Sequence, residues 1–197
     1  MKDNPYDSSS TIGQQPITRD HRVTTARPVG ISILAALHFV GGIILFGGQF
    51  LLFANLQAME DSLRSVGMPP ALLIAGVMFL AVLATASGVG MWIGAKWGWW
   101  LGSFYYVYSI FRNGSALLTI VAMSDQFEGN SRGIEYYLIK HIGRIVVHAL
   151  LFLYFFKGSV LGFFGMKDLN KATAIAIPVG ICIAVMAATS AIGFVAN

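Results

Sequence analysis

Long runs of apolar residues alternate with short polar segments along most of the chain. A helix needs about 20 residues to cross the roughly 30 Å hydrocarbon core of a bilayer, and five runs are long enough. The pattern predicts an all-α, polytopic membrane helix bundle of about five transmembrane helices. Four are possible, because the apolar stretch Val160–Met166 could shift the end of the fourth helix. The predicted spans are about 29–53, 71–95, 97–123, 136–156 and 172–195.

The segments between these runs differ in character. Residues 1–28 are polar and show no apolar periodicity, so they predict a disordered tail in front of a transmembrane domain at 29–197. Asn55–Gly67 carries apolar residues at helical spacing, which predicts a short amphipathic helix on the membrane surface. Lys96 lies among tryptophans between the second and third runs, where the short interfacial connection predicts a helical hairpin.

Small residues recur every four positions on two of the predicted helices. Such stripes let membrane helices approach one another closely. We therefore expect helix packing at both stripes, within one chain or between copies. The residues are Ala86, Gly90 and Gly94 on the second helix and Ala176, Gly180, Ala184 and Ala188 on the fifth.

Composition agrees with a membrane protein. Apolar residues make up 56% of the chain and charged residues 11%, against about 25% charged in typical soluble domains. The net charge of +4 comes from lysines and arginines that flank the apolar runs. It does not come from a basic face, which excludes a nucleic-acid partner. Cys182 is the only cysteine and lies in an apolar run, which excludes a disulfide-built secreted fold.

The distribution of basic residues predicts the orientation. With five spans, the chain termini lie on opposite sides of the membrane. Eight basic residues fall on the side of the N-terminus and two on the other, so the positive-inside rule places the N-terminal tail in the cytoplasm and the C-terminus outside. The eight are Lys2, Arg19, Arg22, Arg27, Lys96, Lys157, Lys167 and Lys171, and the two are Arg64 and Arg132.

The third and fourth runs each present a polar, cationic face. No acidic residue lies within any run, so the arginines have no carboxylate partner at their depth. In one interpretation the two faces line a pocket for an anionic or polar group, such as a lipid headgroup, a quinone or a small carboxylate. In the other interpretation the polar side chains form hydrogen bonds with backbone carbonyls and hydroxyls of neighbouring helices, or extend to the membrane–water interface. The residues predicted to bind a ligand are Tyr105, Tyr108, Arg112, Arg144 and His148.

Two histidines suggest an alternative. His38 and His148 lie on different predicted helices, about nine and eight residues from the cytoplasmic side. At 1.5 Å per residue both are roughly 12–14 Å deep. Two histidines at one level could be the axial ligands of a haem b, with room for the ring at Gly41 and Gly42. The simpler interpretation is a pair of neutral histidines that form hydrogen bonds between helices, with no cofactor and no metal.

The start of the chain carries a resemblance. It opens with Asp3-Asn4-Pro5-Tyr6, continues as a Ser-rich tail and enters the first run through Arg27-Pro28-Val29-Gly30-Ile31. A Trp-Gly-Trp-Trp turn follows at 97–100. This layout resembles uncharacterised small bacterial multi-pass membrane proteins with an Asn-Pro-Tyr N-terminal tail. The resemblance implies the bacterial cytoplasmic membrane and carries no activity or site residue.

These features lead to one main functional expectation. The HExxH, Walker A and dinucleotide-binding glycine patterns do not occur, so we do not expect an enzyme. We expect an integral membrane protein that contacts membrane lipids and binds a lipid or a small polar ligand, or that forms a homo-oligomer or a subunit of a larger membrane complex. The alternatives are a haem-binding electron-transfer protein and a small transporter.

Overall fold

The computed structural model describes residues 26–55, 57, 60, 70–124 and 133–195, with side chains as far as residue 188. Every element in this part of the chain is helical, which confirms the predicted fold class. The predicted tail, most of the amphipathic helix and the loop at 125–132 lie outside the described residues. The helices are α1 (Val29–Ala54), α2 (Pro70–Trp92), α3 (Lys96–Ala122), α4 (Gly133–Phe155), α5 (Gly158–Phe163) and α6 (Lys171–Val195).

Four of the described helices are long and apolar enough to cross a membrane, namely α1, α2, α4 and the Lys171–Ala188 part of α6. The helix α3 is the longest, at 27 residues, and the least apolar of the long helices. It contacts α2, α4 and α6. Its polar residues Ser103, Ser109 and Asn113 are at most 2% exposed. The polarity of α3 therefore reflects its central position among other helices.

Glycines bring α1 and α2 into close antiparallel contact. Gly42 of α1 lies against the backbone of Ala81 and Thr85, and Gly88 of α2 lies against the backbone of Phe39. A Cβ atom on Gly88 would lie 2.7 Å from the Phe39 nitrogen. This distance is too short for a side chain, so only glycine fits at the contact. This contact lies outside the small-residue stripe predicted for the second helix.

The predicted hairpin between α2 and α3 is present. Gly90 of the predicted stripe packs directly against the backbone of Gly98 on α3. Gly94 turns the chain with φ of +68°, a left-handed conformation that favours glycine, and lies against the ring of Phe163. Further along the hairpin, Phe79 packs edge-on against Phe104, so α2 and α3 run antiparallel over most of their length.

The helices α3 and α4 also pack antiparallel, around a buried aromatic core at one end of the bundle. Trp99 of α3 is completely buried and its indole N–H donates to the Phe155 carbonyl at 3.0 Å. The chain then leaves α4 and folds back as α5, which places Phe164 in a stacked arrangement with Phe155. The Val160–Met166 stretch therefore forms a separate cap and does not prolong the fourth helix.

The helix α6 packs against α3 through a different face from the predicted one. Ala174, Pro178 and Cys182 are buried, whereas Ala176, Gly180, Ala184 and Ala188 of the predicted stripe are exposed. Residues two positions apart are rotated by about 200° around the helix axis, so they point to nearly opposite sides. Only one of the two faces can therefore meet α3. The stripe is exposed within the described part of the chain, and its packing between copies stays a prediction.

Basic residues from three connections meet at the end of the bundle that holds the aromatic core. The Arg27 guanidinium donates to the Trp92 carbonyl and lies 4.5 Å from the centre of the Trp92 ring. The Lys96 side chain lies beside Gly165, and Lys157 immediately precedes α5. We call this the basic end of the bundle. Arg27, Lys96 and Lys157 therefore share one side, as the alternation of the predicted helices requires.

Two glycines of α3 provide a matched test of the hairpin. In Gly98→Ala the new methyl group overlaps the Gly90 backbone, so we expect a loss of about 1–3 kcal/mol of stability. In Gly114→Ala the new methyl group meets no atom within 4 Å, and the better helix propensity of alanine is worth up to about 1 kcal/mol. Thermal unfolding of the two purified variants in detergent measures the difference, and equal midpoints would contradict this packing.

Candidate functional site

A cleft of about 380 Å³ lies between α1 and α4, with α3 as its floor. Its walls are apolar, and polar side chains are grouped at one level inside it. On the side of the cleft toward the basic end, Tyr154 of α4 contacts Gly30 of α1. The apolar wall residues are Leu34, Leu37, Ile44, Leu45 and Leu151, and the polar residues are His38, Tyr105, Tyr106 and His148.

The His38 side chain connects three helices. Its Nδ1 lies 2.6 Å from the Ser87 hydroxyl on α2, and its Nε2 lies 3.0 Å from the Tyr106 hydroxyl on α3. His38 is 7% exposed, Ser87 is completely buried and Tyr106 is 1% exposed. Buried polar groups are stable only when they are hydrogen-bonded, and here both nitrogens of the imidazole have partners.

One neutral tautomer satisfies all of these groups. The Ser87 hydroxyl donates to the Ala84 carbonyl at 3.0 Å, so its oxygen is free to accept from Nδ1–H of His38. The Nε2 atom of His38 then accepts from the Tyr106 hydroxyl. The result is a continuous chain of hydrogen bonds from α3 through α1 to the backbone of α2, which fixes the level of the three helices.

The tyrosines of α3 connect the two histidines. The His38 ring packs edge-on against Tyr105 and Tyr106, with ring centres 4.5 and 5.3 Å apart. The His148 ring lies 6.2 and 6.1 Å from the same two rings. Nδ1–H of His148 donates to the Arg144 carbonyl of its own helix at 2.6 Å. The structure therefore places both histidines at one level of the bundle, on either side of the α3 floor.

This geometry does not fit a haem held by His38 and His148. An axial histidine needs one ring nitrogen for iron, and in His38 both nitrogens are hydrogen-bonded to protein groups. Ligation would break the bond to Tyr106 or the bond to Ser87. Among the described residues, no three His, Cys, Asp or Glu side chains are grouped so as to hold a metal ion.

A second polar contact joins α3 and α4 further from the basic end. Nδ1–H of His141 donates to Oδ1 of Asn113 at 2.9 Å, and Nδ2–H of Asn113 donates to the Ser109 carbonyl at 2.7 Å. The cations Arg112 and Arg144 lie within electrostatic range of His141. This contact satisfies the buried amide and keeps α3 and α4 in register.

The five residues predicted to bind a ligand are only partly brought together. Tyr105 and His148 line the cleft. Tyr108 instead packs between rings of the α2–α3 hairpin, 5.9 Å from Phe79. The side chains of Arg112 and Arg144 are exposed, and no hydrogen bond or ion pair joins their guanidinium groups to another described residue.

The sequence interpretation did not single out Ser87, Tyr106 or Asn113, which complete the two polar contacts. Each is a small polar or aromatic residue inside an apolar run. A signal was present, since a histidine within a membrane helix requires a partner on a neighbouring helix. Which hydroxyl or amide supplies it depends on the rotation and register of the helices, which the sequence does not contain.

A second groove lies on the opposite side of α1, between α1 and α2, with a volume of about 370 Å³. Its lining residues are apolar or glycine, with Phe39, Val89 and Trp92 among them. A groove with so few polar groups can hold an acyl chain but offers little to orient a ligand. The cleft beside His38 is therefore the better candidate site.

Comparison of the chain with protein-family models, with curated proteins and with solved structures finds no match to any of them. The function of the cleft must therefore be argued from its own residues.

The hydrogen-bond chain is tested by removing one hydroxyl. In Tyr106→Phe, Nε2 of His38 loses its partner at a buried position, so we expect a loss of about 1–3 kcal/mol of stability. Tyr105→Phe is the matched control, because its hydroxyl forms no hydrogen bond with a described residue. The readout is the thermal unfolding midpoint in detergent. A Tyr106→Phe variant as stable as Tyr105→Phe would show that the His38 contact does not hold the helices together.

Proposed function

We propose that this chain is a multi-pass membrane protein without an enzyme activity of its own, and that its α1–α3–α4 cleft binds a lipid-soluble amphiphile. The observation that carries the proposal is a small group of hydrogen-bonding side chains inside a cleft with apolar walls. Ligand sites commonly combine apolar walls with a few polar groups that orient the ligand.

The proposal of five crossings depends on α3, because its own composition does not mark it as a span. The helices α2 and α4 are apolar enough to cross a membrane, and α3 packs antiparallel to both. The short turn at Gly94 leaves α3 no route except back along α2. If α2 and α4 cross the bilayer, α3 crosses with them and its polar residues are shielded by the surrounding helices.

The proposed orientation in the membrane rests on the residues at the basic end of the bundle. Arg27, Lys96 and Lys157 meet there, and Trp92 and Trp97, which are about half exposed, lie at the same level. Cations together with tryptophans are typical of a membrane–water interface, and an excess of cations is typical of its cytoplasmic side. We therefore place the basic end in the cytoplasm of the cell whose membrane holds the protein.

Cysteine labelling in intact cells tests this orientation. In a Cys182→Ser background, Ser124→Cys lies at the end of the bundle opposite Lys157→Cys. A membrane-impermeant maleimide should label Ser124→Cys from outside and should label Lys157→Cys only after the cells are opened. The reverse pattern would contradict the orientation, and labelling of both positions from outside would contradict the arrangement of crossings.

The position of the cleft fits a ligand that arrives from the lipid phase. Leu37 and Ile44 are 62% and 66% exposed on the outer surface of α1, and both also line the cleft. Tyr105 and His148 lie deeper, on α3 and α4. An amphiphile can therefore place its apolar part against the leucines and its polar part against the phenol and the imidazole.

Two glycines of α1 allow the cleft to be blocked with a matched control. Gly41 lines the cleft, and a side chain added there meets no atom within 4 Å. Gly47 also has open space around it, but it is not a lining residue of the cleft. We expect Gly41→Phe to lower the affinity for a long-chain alcohol such as hexadecanol by at least about tenfold, because burial of its chain is lost.

The measurement is the equilibrium binding of radiolabelled hexadecanol to the protein in phosphatidylcholine nanodiscs, after subtraction of binding to empty nanodiscs. Gly47→Phe should bind as the unchanged protein does. Equal binding by Gly41→Phe and the unchanged protein would refute the cleft as the site.

A further inference from the structure

We infer that the ligand of this cleft is an anionic single-chain amphiphile, and that Arg112 and Arg144 bind its phosphate or carboxylate group. This inference rests on the proposed function, because it concerns the same cleft. It adds the chemical class of the ligand and assigns a binding role to two arginines beyond the residues that line the cleft.

The first argument is the direction in which the two arginines point. Arg112 follows Tyr105 by seven residues, which on an α-helix is a rotation of only about 20° and an advance of about 10 Å. Arg144 lies, by the same rotation of 100° per residue, between the directions of His148 and Leu151. Tyr105, His148 and Leu151 all line the cleft. Both arginines therefore lie on the continuation of the cleft away from the basic end.

The second argument is that the described residues supply no counter-charge. The guanidinium groups of Arg112 and Arg144 form no ion pair or hydrogen bond with a described residue. Among the described residues of α3 and α4 the only carboxylate is Glu135, in the first turn of α4. It precedes Arg144 by nine residues, or about 13 Å along the helix. Within the described part of the chain the two cations are therefore available to an added ligand.

The third argument is the position of these cations in a bilayer. Arg144 lies near the middle of α4, which is 23 residues long, and Arg112 is ten residues from the end of α3 at Ala122. A charged side chain at such a depth is costly unless it pairs with another charge or with water. An anionic group in the cleft removes this cost. A guanidinium is also suited to it, because it binds phosphate and carboxylate with two parallel hydrogen bonds.

The fourth argument is size. A volume of about 380 Å³ is near the lower end of the roughly 300–1,000 Å³ of small-molecule sites. This volume is enough for one alkyl chain but too small for both chains of a phospholipid. The apolar residues Leu34, Leu45 and Leu151 surround this volume. From the level of His38 and His148, Leu45 and the two arginines lie in the same direction, away from the basic end, so the arginines are beside the far part of the cleft. A ligand can therefore hold its one chain against the leucines and its anionic group beside the arginines.

The test compares three ligands that share one chain. Hexadecyl phosphate, hexadecanoate and hexadecanol are measured by equilibrium binding to the full-length protein in phosphatidylcholine nanodiscs, with empty nanodiscs subtracted. We expect at least one anion to bind about tenfold or more tightly than hexadecanol. A preference for the phosphate alone identifies a phosphate amphiphile, a preference for the carboxylate alone identifies a fatty acid, and a preference for both identifies any single-chain anion.

The variant Arg112→Gln/Arg144→Gln should remove the preference, so that the anion binds to it no more tightly than hexadecanol does. Lys157→Gln/Lys167→Gln is the control, since it removes the same charge from exposed residues at or near the basic end. It should retain the preference.

Equal affinity for the three ligands, or a preference that survives the arginine substitutions, would overturn the inference and leave the cleft as a site for neutral amphiphiles. If none of the three ligands binds, or if Gly41→Phe binds all three as the unchanged protein does, the proposed function itself fails.

Discussion

Hydrogen bonds from a single histidine hold the helices of this bundle at one level. His38 lies on an apolar helix, and its imidazole reaches Ser87 on α2 and Tyr106 on α3 at 2.6 and 3.0 Å. In a lipid environment no water replaces a lost partner, so a buried imidazole constrains the rotation of every helix that it contacts. The bond between His38 and Ser87 requires α1 and α2 to lie close together. Gly42 and Gly88 allow this, because they leave no side chain between the two helices.

The cleft is a consequence of this arrangement. The helix α1 packs along α2, whereas α4 packs along α3, and the bond between His38 and Tyr106 joins the two pairs near the level of His148. Toward the basic end the pairs meet again where Tyr154 lies against Gly30. No described helix fills the space beside α3 between α1 and α4, from the level of Leu34 to that of Leu45. The helices α1 and α4 flank α3 and touch each other at few points, so a groove remains between them, and His38, Tyr106 and His148 become its polar lining.

The sequence predicted those features that depend on one helix at a time. The positions of the long helices follow from the apolar runs. The shared position of the cations at the basic end follows because every second connection between antiparallel helices lies at the same end of the bundle. Features that depend on the rotation of one helix against another were not predictable. Tyr108 was grouped with Tyr105 on one face of α3, yet it packs against Phe79. On α6 the small-residue stripe was expected to pack within the chain or between copies, and within the described chain the buried face is instead the one with Ala174, Pro178 and Cys182.

The polar residues of α4 differ in whether the described part of the chain provides them with a partner. His141 is engaged by Asn113 at 2.9 Å, and His148 donates to the carbonyl of Arg144 in its own helix at 2.6 Å, so these imidazole N–H groups have partners. The Arg144 guanidinium has none among the described residues, although it is the group with the highest cost in lipid. Packing alone would favour an apolar side chain at that position. This contrast between partnered imidazoles and an unpartnered guanidinium within the described residues is the reason for our proposal that Arg144 binds an anion.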